Sequence, residues 1–484
     1  MHNKTWLIWR HSIDFLEAFK SLHYDNVPLG ILMLRDFQKY MLRHSKAFGN
    51  AKLKKAGPIR NLQAACSPYL VPAKPNLNKS GYTIVRAELF GMSKGSGGEK
   101  LLFVAHHHRE YRSMLKIKEC RPLIYLHGLP PARLSPAMAQ KTMGALRTLL
   151  SSARTPAVFR KSAFRSWLTA RVKKAMLDVR RVHTLFNRYS IRRTVYGSTI
   201  NHHGALITSF AQSRKVHTVN IQHGLMAPIA HFPVNADLNF VWGKSHADFL
   251  KSYGAPPNKI VVSGPCFYRN LPTGNKAAAN MGSAHLQVLV ALQPLGNQYN
   301  KTLIRSIEQA AKPFEEKIAI TYKLHPDQGS TSPFRSSLRC RKSKIFRHGI
   351  LPLNEMIDRS DVVITPYSSV AYETLISAKP VIFYRKPGYV YYIRNAPVCF
   401  HSAAGLKQIF SKAIANRGYL SSLLTRMGVI DKVKPGGNSN RFIWSSLRRL
   451  TANIASKDEA EPILELEPIL ELEPEPELLS TAIK

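Results

Sequence analysis

The chain has 484 residues, which at roughly 150 residues per domain predicts two or three packed units and excludes a single small module. Hydrophobic residues make up 44% of it, yet no run reaches the roughly 18 apolar residues that a membrane span requires. Seventy Lys and Arg against 29 Asp and Glu give a net charge of +41. A surface of that charge favours an anionic partner, either nucleic acid, an anionic membrane leaflet or a polyanionic substrate.

Cysteine usage and the first residues predict the compartment. The five cysteines are an odd number without CxxC spacing, which argues against both a disulfide framework and a thiolate metal site. Residues 1–19 mix Trp6 and Trp9 with charged residues and lack the apolar core of a signal peptide. We therefore expect a cytoplasmic protein.

Strands and helices alternate through the first half of the chain. Residues 101–105 and 122–126 are short apolar runs typical of buried strands, and residues 111–118 between them have helical spacing. The alternation resumes after residue 193. The strands predicted there are 194–196, 217–221, 239–242 and 259–263, and the helices are 204–214 and 245–253. This order is typical of a doubly wound sheet.

Residues 154–193 form a strongly basic stretch with 12 Lys and Arg and one acid, Asp178. Apolar residues recur through it at helical spacing, which predicts one or two helices with an apolar stripe and a cationic face. The apolar set is Phe164, Trp167, Leu168, Val172, Met176, Val179 and Val182. Such a helix can lie on anionic lipid. The alternative is a helix packed on the core with its basic side in water.

A second alternating series follows a connector predicted at residues 265–284, where Gly, Pro, Asn and Ser replace the periodicity. Its strands are 286–291, 317–324, 344–346, 361–365 and 380–384, and its helices are 301–314, 353–359 and 369–378. We predict an α/β protein of two doubly wound, Rossmann-like domains, 1–264 and 285–457, facing a central cleft. Ligands bind such sheets beyond the carboxyl ends of the strands.

The last residues differ sharply in charge. Residues 458–484 contain nine acids and one lysine, in the near-repeats EPILEL, EPILEL and EPEPEL. The recurring proline prevents a continuous helix, so a disordered acidic tail is predicted. The rest of the chain then carries +49. The tail either screens this basic body or serves only as a solubilising extension.

A phosphate site is predicted where the strand at 361–365 leads into the following helix. Ser368 or Ser369 suits the N-cap of that helix, where free backbone N–H groups and the helix dipole favour an anion. The two hydroxyls can donate further hydrogen bonds to phosphate. Glu373 lies in the same helix and can accept from a ribose hydroxyl or a base amino group. Plain helix capping is the alternative.

The segment YKLHPD at 322–327 predicts a second part of that site. A buried strand ends at His325, and Pro326 fixes the turn that presents the imidazole. Lys323 lies two residues earlier on the same strand face. A histidine that donates to phosphate beside a cation would neutralise charge on a departing nucleotide. The alternative is an ordinary turn histidine.

The segment VNIQHGL at 219–225 places a third candidate at a strand end of the first domain. His223 would face the phosphate site across the cleft, and a neutral imidazole is suited to take a proton from a hydroxyl near pH 7. Gln222 and Gly224, beside it in the turn, are predicted to orient the substrate.

Together these segments resemble a known group of enzymes. QHG at 222–224, FVWGKSHADFLKSYGAPPNKIVVSG at 240–264, KLHP at 323–326 and DVVITPYSSVAYETLISAKPVIFY at 361–384 are similar, in this order, to bacterial surface-polymer transferases of the GT-B type. These include CDP-glycerol glycerophosphotransferases, capsule polymerases and polysialyltransferases. The resemblance implies that His325, Pro326, Ser368 and Ser369 bind the phosphate of a cytidine nucleotide. The polysialyltransferases carry an acidic catalytic base where this chain has His223.

Other candidate sites are rejected on spacing. GMSKGSGGEK at 91–100 lacks the order of a phosphate loop and is interpreted as a flexible loop. His106, His107 and His108 are adjacent, as are His202 and His203, so their rings point apart and are poorly placed to share a metal. No DxD-like pair follows a strand. We predict no metal and no cofactor.

The predicted function is glycosyl or glycerophosphate transfer from a nucleotide-activated, cytidine-based donor to a surface polysaccharide or lipid-linked glycan. His223 and His325 are the predicted catalytic residues, and the nucleotide or phosphate would bind Lys323, His325, Pro326, Ser368, Ser369 and Glu373. The reaction is predicted to be a metal-independent single displacement. Because the body is basic, we expect peripheral association with the inner face of the cytoplasmic membrane. We predict no specific nucleic-acid partner. The alternatives are a nucleotide-sugar epimerase or hydrolase of the same fold, and a basic nucleic-acid-binding protein.

Overall fold

A computed structural model describes residues 2–49, 59–72, 74–77, 79–120, 122–224, 226–266, 284–366, 368–384, 398–427 and 439–455. Most of the predicted connector, 267–283, and the whole predicted acidic tail lie outside the described residues. Within the described ranges, no helix combines the length and the apolar content that crossing a bilayer demands.

Two separate parallel sheets organise the chain, which confirms the predicted fold class. After a hairpin of β1 (His23–Tyr24) and β2 (Val27–Pro28), the first sheet contains β3 (Tyr82–Arg86), β4 (Leu101–Ala105), β5 (Leu123–Tyr125), β6 (Ile191–Tyr196), β7 (His217–Ile221), β8 (Leu238–Val241) and β9 (Ile260–Val262). The second contains β10 (Leu286–Ala291), β11 (Ile318–Lys323), β12 (Ser343–Phe346), β13 (Val362–Thr365), β14 (Val381–Tyr384) and β15 (Cys399–Phe400).

Helices cover the faces of both sheets. In the first part of the chain they are α1 (His2–Ala18), α2 (Leu29–Arg43), α3 (Ser45–Gly49), α4 (Leu62–Cys66), α5 (His108–Met114), α6 (Pro136–Ser151), α7 (Ala157–Arg160), α8 (Ser162–Arg188), α9 (His202–Ser213), α10 (Pro228–His231) and α11 (Lys244–Ser252). In the second part they are α12 (Asn297–Ala311), α13 (Ser332–Arg335), α14 (Leu353–Asp358), α15 (Val370–Ile376), α16 (Ala403–Ala415), α17 (Gly418–Met427) and α18 (Ser439–Ala455).

The strand orders of the two sheets follow one rule. The first sheet runs β5-β4-β3-β6-β7-β8-β9 and the second runs β12-β11-β10-β13-β14-β15. In each sheet the first strand, β3 or β10, is central. The next two strands lie on one side of it, and all the strands that follow lie on the other. The order therefore reverses between β3 and β6 and between β10 and β13, and crevices at such switch points bind ligands.

The basic stretch is a helix packed on the core. The apolar side of α8 is buried, including Phe164, Leu168 and Val172, against an aromatic cluster in which the rings of Phe15 and Phe37 stack at 4.4 Å. Residues 192 and 193, predicted within the basic helical stretch, lie instead in β6. Because burying the apolar stripe removes it from water, the packed alternative describes α8.

Helix α18 belongs by sequence to the predicted second domain but packs on the first sheet. Its buried Ile443, Trp444 and Leu447 share a core with the first sheet. The Trp444 indole donates to the Met92 carbonyl at 2.8 Å. The apolar face of this amphipathic helix is thereby covered, and the chain returns to the domain where it began.

Candidate functional site

The switch point of the second sheet opens into a cavity of 390 Å³, large enough for a small organic ligand. Its lining comes from the carboxyl ends of β10 and β11 and from the segment between β13 and α15. All six residues predicted to bind nucleotide or phosphate line it: Lys323, His325, Pro326, Ser368, Ser369 and Glu373. The structure thus brings together two segments about 40 residues apart in sequence.

His325 is held in one tautomer. Its Nδ1 accepts a hydrogen bond from the backbone N–H of Asp327 at 3.2 Å, which leaves Nε2 as the N–H donor of the neutral ring. Burial lowers the pKa of His325, and the nearby His348 and Lys323 act in the same direction against the charge of Asp327. A neutral imidazole that donates from Nε2 suits a phosphate oxygen at the cavity wall.

Lys323 and Glu373 bring opposite charges to the same cavity. Lys323 is only 8% exposed, and burial lowers its pKa while Glu373 opposes that shift. Burial raises the pKa of Glu373 to about 7, although the charge of Lys323 acts the other way. Near neutral pH the Glu373 carboxyl is therefore partly protonated, which reduces its repulsion of an incoming phosphate.

The two serines lie at the start of a helix shorter than predicted. Helix α15 has 7 residues, whereas 369–378 was expected, so its dipole adds little and the side chains matter more. The Ser368 hydroxyl accepts from the Val370 N–H at 3.2 Å. Ser369 is the N-cap residue and makes no side-chain capping bond. Both hydroxyls retain donor capacity toward the cavity.

His223 lies two residues after β7 in the first sheet, the position that corresponds to His325 after β11 in the second. It is exposed, and its Nδ1 contacts the carbonyl oxygen of Gly197, the residue after β6. With Nδ1 donating to that carbonyl, Nε2 is the nitrogen free to accept a proton. This orientation is consistent with the predicted base.

Gln222 differs from its predicted role. Its side chain is 0% exposed; its amide oxygen accepts from the Trp242 N–H at 2.8 Å, and its amide nitrogen donates to the Gly224 carbonyl at 2.9 Å. The amide therefore shapes the turn that carries His223, and Gly224 takes part through its carbonyl. The Gln222 side chain therefore supports the turn rather than orienting a substrate.

A buried contact joins α11 of the first domain to α15 of the second. The Tyr372 hydroxyl, on α15 next to Glu373, lies 3.0 Å from His246 Nε2 on α11. Both residues are buried. This contact links α11 of the first domain to α15, the helix that carries Glu373.

The sequence interpretation missed two polar side chains that also line the cavity, Gln293 and His348. Gln293 follows β10 and His348 follows β12, so each stands just beyond a strand in the way that His325 does. Both strands were predicted. Inspecting the residues after every predicted strand would have found them.

The rejected sequence patterns have structural roles. Gly95 and Gly97, in the predicted flexible loop, lie against α18. His106 is buried and His107 exposed, yet the rings of His106 and His203 approach to 4.4 Å between centroids. Across the residues that the structure describes, no group of three His, Cys, Asp or Glu side chains is arranged to hold a metal ion.

Known proteins resemble the chain in one segment and in fold. Residues 278–394 match the family described as CDP-Glycerol:Poly(glycerophosphate) glycerophosphotransferase. No curated protein sequence matches the chain significantly. The segment contains all six predicted residues of the cavity but not His223, and the match confirms the predicted resemblance to surface-polymer transferases.

Two solved structures align with the chain at low sequence identity. A candidate UDP-N-acetylglucosamine 2-epimerase from Listeria monocytogenes aligns with a TM-score of 0.50 and 12% identity, covering 79% of this chain and 99% of its own. A variant of the wall teichoic acid polymerase TagF, soaked with CDPG, aligns at a TM-score of 0.42 and 9% identity over 86% of this chain and 98% of its own. The first likeness shows the fold alone. The chain is a transferase with the GT-B arrangement of two Rossmann-like domains.

Proposed function

We propose that the protein transfers a glycerophosphate or glycosyl group from a cytidine-activated donor to a hydroxyl of a surface polysaccharide or lipid-linked glycan. The observation that carries this proposal is the cavity that gathers Lys323, His325, Ser368, Ser369 and Glu373 inside a segment that matches a glycerophosphotransferase family. That family match favours glycerophosphate as the transferred group.

The proposed reaction is one displacement. The acceptor hydroxyl gives its proton to Nε2 of His223 and its oxygen attacks the phosphorus that bears glycerol. The phosphoanhydride bond breaks, and cytidine monophosphate leaves with the bonding electrons. His325, Lys323 and the hydroxyls of Ser368 and Ser369 would stabilise the negative charge that develops on it. With a sugar donor, the same geometry predicts attack on the anomeric carbon and inversion.

A donor panel tests the proposal. The full chain is incubated with cytidine-, uridine- and guanosine-activated sugars, CDP-glycerol and oligonucleotides, and its melting temperature is measured. We expect stabilisation by cytidine compounds, because a ligand that binds only the folded state raises its stability. A shift with oligonucleotides alone would favour a nucleic-acid-binding protein. A shift with UDP-sugars, accompanied by epimerised product without acceptor, would favour the epimerase alternative.

We propose that the basic body of the protein holds the enzyme on anionic lipid, and the strong positive charge of the chain supports this. Exposed cations on α8, such as Arg165 and Lys173, face away from the buried stripe. Co-sedimentation with vesicles of anionic and of neutral lipid measures this directly. Binding should require anionic lipid and weaken with salt, because surface charge is screened over about 10 Å at 0.1 M salt. Equal binding to both vesicle types would contradict it.

A further inference from the structure

The switch point of the first sheet holds a carboxylate that no part of the proposed reaction has used. Strands β3 and β7 flank β6, and each of the three is followed at its carboxyl end by a distinctive residue. Glu88 stands two residues after β3, Gly197 directly follows β6, and His223 lies two residues after β7. Ligands bind at this position in doubly wound sheets, so Glu88 and His223 flank the expected ligand crevice.

Gly197 shows how closely these side chains approach. A Cβ atom on Gly197 would lie 3.1 Å from Cγ of His223 and 3.2 Å from Oε1 of Glu88. Both side chains therefore reach the same small volume above the end of β6. A larger residue at 197 would push them away, because these distances are closer than ordinary carbon contact.

The Glu88 carboxylate is available to a ligand. Its side chain is 42% exposed, and its ion pair with Arg86 is long at 3.9 Å. Arg86 is engaged elsewhere, since it donates two hydrogen bonds to Glu110 at 2.8 and 2.9 Å. Within the described part of the chain no hydrogen bond holds Glu88. A carboxylate with free acceptor positions beside an imidazole suits hydroxyl donors.

We infer that Glu88 binds the acceptor: it accepts a hydrogen bond from the hydroxyl next to the one that His223 deprotonates. The inference rests on the proposed function and adds the acceptor class. A carboxylate repels phosphate, so the reacting end of the acceptor is a neutral polyol with neighbouring hydroxyls, and a phosphate-terminated chain is rejected. The proton of the attacking hydroxyl still goes to His223, and the proton on the neighbouring hydroxyl stays where it is.

Two acceptors test this inference with the full chain. One is a short glycerol phosphate oligomer that ends in a diol, and the other is the same oligomer with the neighbouring hydroxyl replaced by hydrogen. Transfer from CDP-glycerol is measured for the wild type, Glu88→Gln and Glu119→Gln, an exposed glutamate of the same domain that serves as the matched control. Donor affinity is measured separately by calorimetry.

We expect Glu88→Gln to raise the acceptor KM about 10-fold to 100-fold, the range for a charge-assisted hydrogen bond. Donor affinity and slow donor hydrolysis should stay within about twofold of wild type. The preference of the variant for the diol should be smaller than that of the wild type, because a neutral amide oxygen accepts a weaker hydrogen bond than a carboxylate. Gly197→Ala should raise the acceptor KM and also lower kcat, because the added methyl group displaces both Glu88 and His223. Glu119→Gln should match wild type.

An unchanged acceptor KM in Glu88→Gln, or a preference for the diol as strong as that of the wild type, would overturn the inference and leave the proposed function standing. A fall in kcat with KM and acceptor preference intact would also overturn it, since Glu88 would then act on the reaction rather than on binding. If the wild-type chain neither binds nor turns over any cytidine donor, the proposed function itself fails.

Discussion

The two sheets place different chemistry at equivalent positions. The switch point of the second sheet is a cavity lined by cationic and hydroxyl-bearing side chains, with a glutamate whose pKa is raised to about 7. The corresponding point of the first sheet carries an exposed imidazole and the carboxylate of Glu88 around a glycine. Both sheets reverse their strand order at this point. The residues just after the strands therefore decide whether the site favours a phosphate or a hydroxyl group.

The difference also separates the residues suited to binding an anionic donor from those suited to reacting with a hydroxyl. Groups in the second sheet can hold negative charge, whereas those in the first sheet can accept protons or hydrogen bonds from a neutral molecule. A transferase needs both, because the donor is anionic and the acceptor contributes a hydroxyl. If each sheet carries only its own task, a substitution in one should leave the function of the other intact.

The largest expected effect is on the first sheet. His223→Ala should lower the rate of transfer about 10²-fold to 10⁴-fold, the usual contribution of a general base, with donor affinity unchanged. Single-turnover transfer from CDP-glycerol measures it. His108→Ala, a change of an exposed histidine in the same domain, should have no effect. Transfer at the parental rate in His223→Ala would show that this imidazole is not the base.

Substitutions in the donor cavity of the second sheet should weaken donor binding and leave acceptor binding unchanged. Ser368→Ala, Ser369→Ala and His325→Ala should each weaken binding of cytidine diphosphate by about 1.5–3 kcal/mol, because each removes a hydrogen bond to a charged phosphate. Isothermal calorimetry gives the dissociation constants. Ser336→Ala, at an exposed serine of the same domain, is the control. Unchanged affinity in all three variants would place the nucleotide elsewhere.

Glu373 makes stability depend on pH. Its pKa is raised from 4.5 to about 7 in the folded chain, so between these values the unfolded chain loses the proton first. The free energy of unfolding therefore falls as pH rises through this window and the full cost, about 1–3 kcal/mol, is present above it. Glu373→Gln should remove that cost.

Urea unfolding near pH 4.5 and near pH 8 measures the effect of Glu373. The variant and the wild type should be similar at the lower pH, and the variant should be more stable at the higher one. Glu355→Gln, which changes a partly exposed glutamate on α14, should show no such divergence. A constant difference between Glu373→Gln and wild type at both pH values would exclude the titration of Glu373 as its cause.

The smallest effect is expected where the domains meet. Tyr372→Phe removes the hydrogen bond between Tyr372 and His246 and should lower the free energy of unfolding by about 1 kcal/mol. If this contact also fixes the distance between the donor cavity and His223, the rate of transfer should fall while the affinities for donor and acceptor stay unchanged. Tyr419→Phe, at a half-buried tyrosine of the second domain, is the control. Equal transfer rates in both variants would leave the contact a role in stability alone.

Local patterns predicted most of both sheets. Strands β4, β7 and β10 have the predicted bounds, because short apolar runs between turn residues leave little choice of structure. The central strand β3 was missed, as were α1 and α2. The YTIVR segment of β3 is short and follows a region without periodicity, and only pairing with both β4 and β6 shows that it is central.

The donor cavity was predictable for a specific reason. Most of its predicted residues lie within a few positions of a strand end, and parallel strands bring their carboxyl ends to one edge. The approach of Glu88 to His223 could not be predicted in this way, because β3, the strand that precedes Glu88, was itself missed. Arg193 is a similar case: the basic stretch counts it among surface cations, yet it is buried, donates to the Leu447 carbonyl at 2.9 Å, and has a pKa lowered to about 10 by that burial.

The sequence by itself determined the two-domain α/β class, the strong positive charge, and the His-Pro and Ser-Ser segments that form the donor cavity, because these depend on periodicity and on residues close to strand ends. Only the tertiary structure decided that Glu88 approaches His223, that Tyr372 contacts His246, and that α18 returns to the first sheet. Such contacts depend on how strands are ordered and how apolar faces are covered, and residues distant in sequence meet only once the sheets have formed.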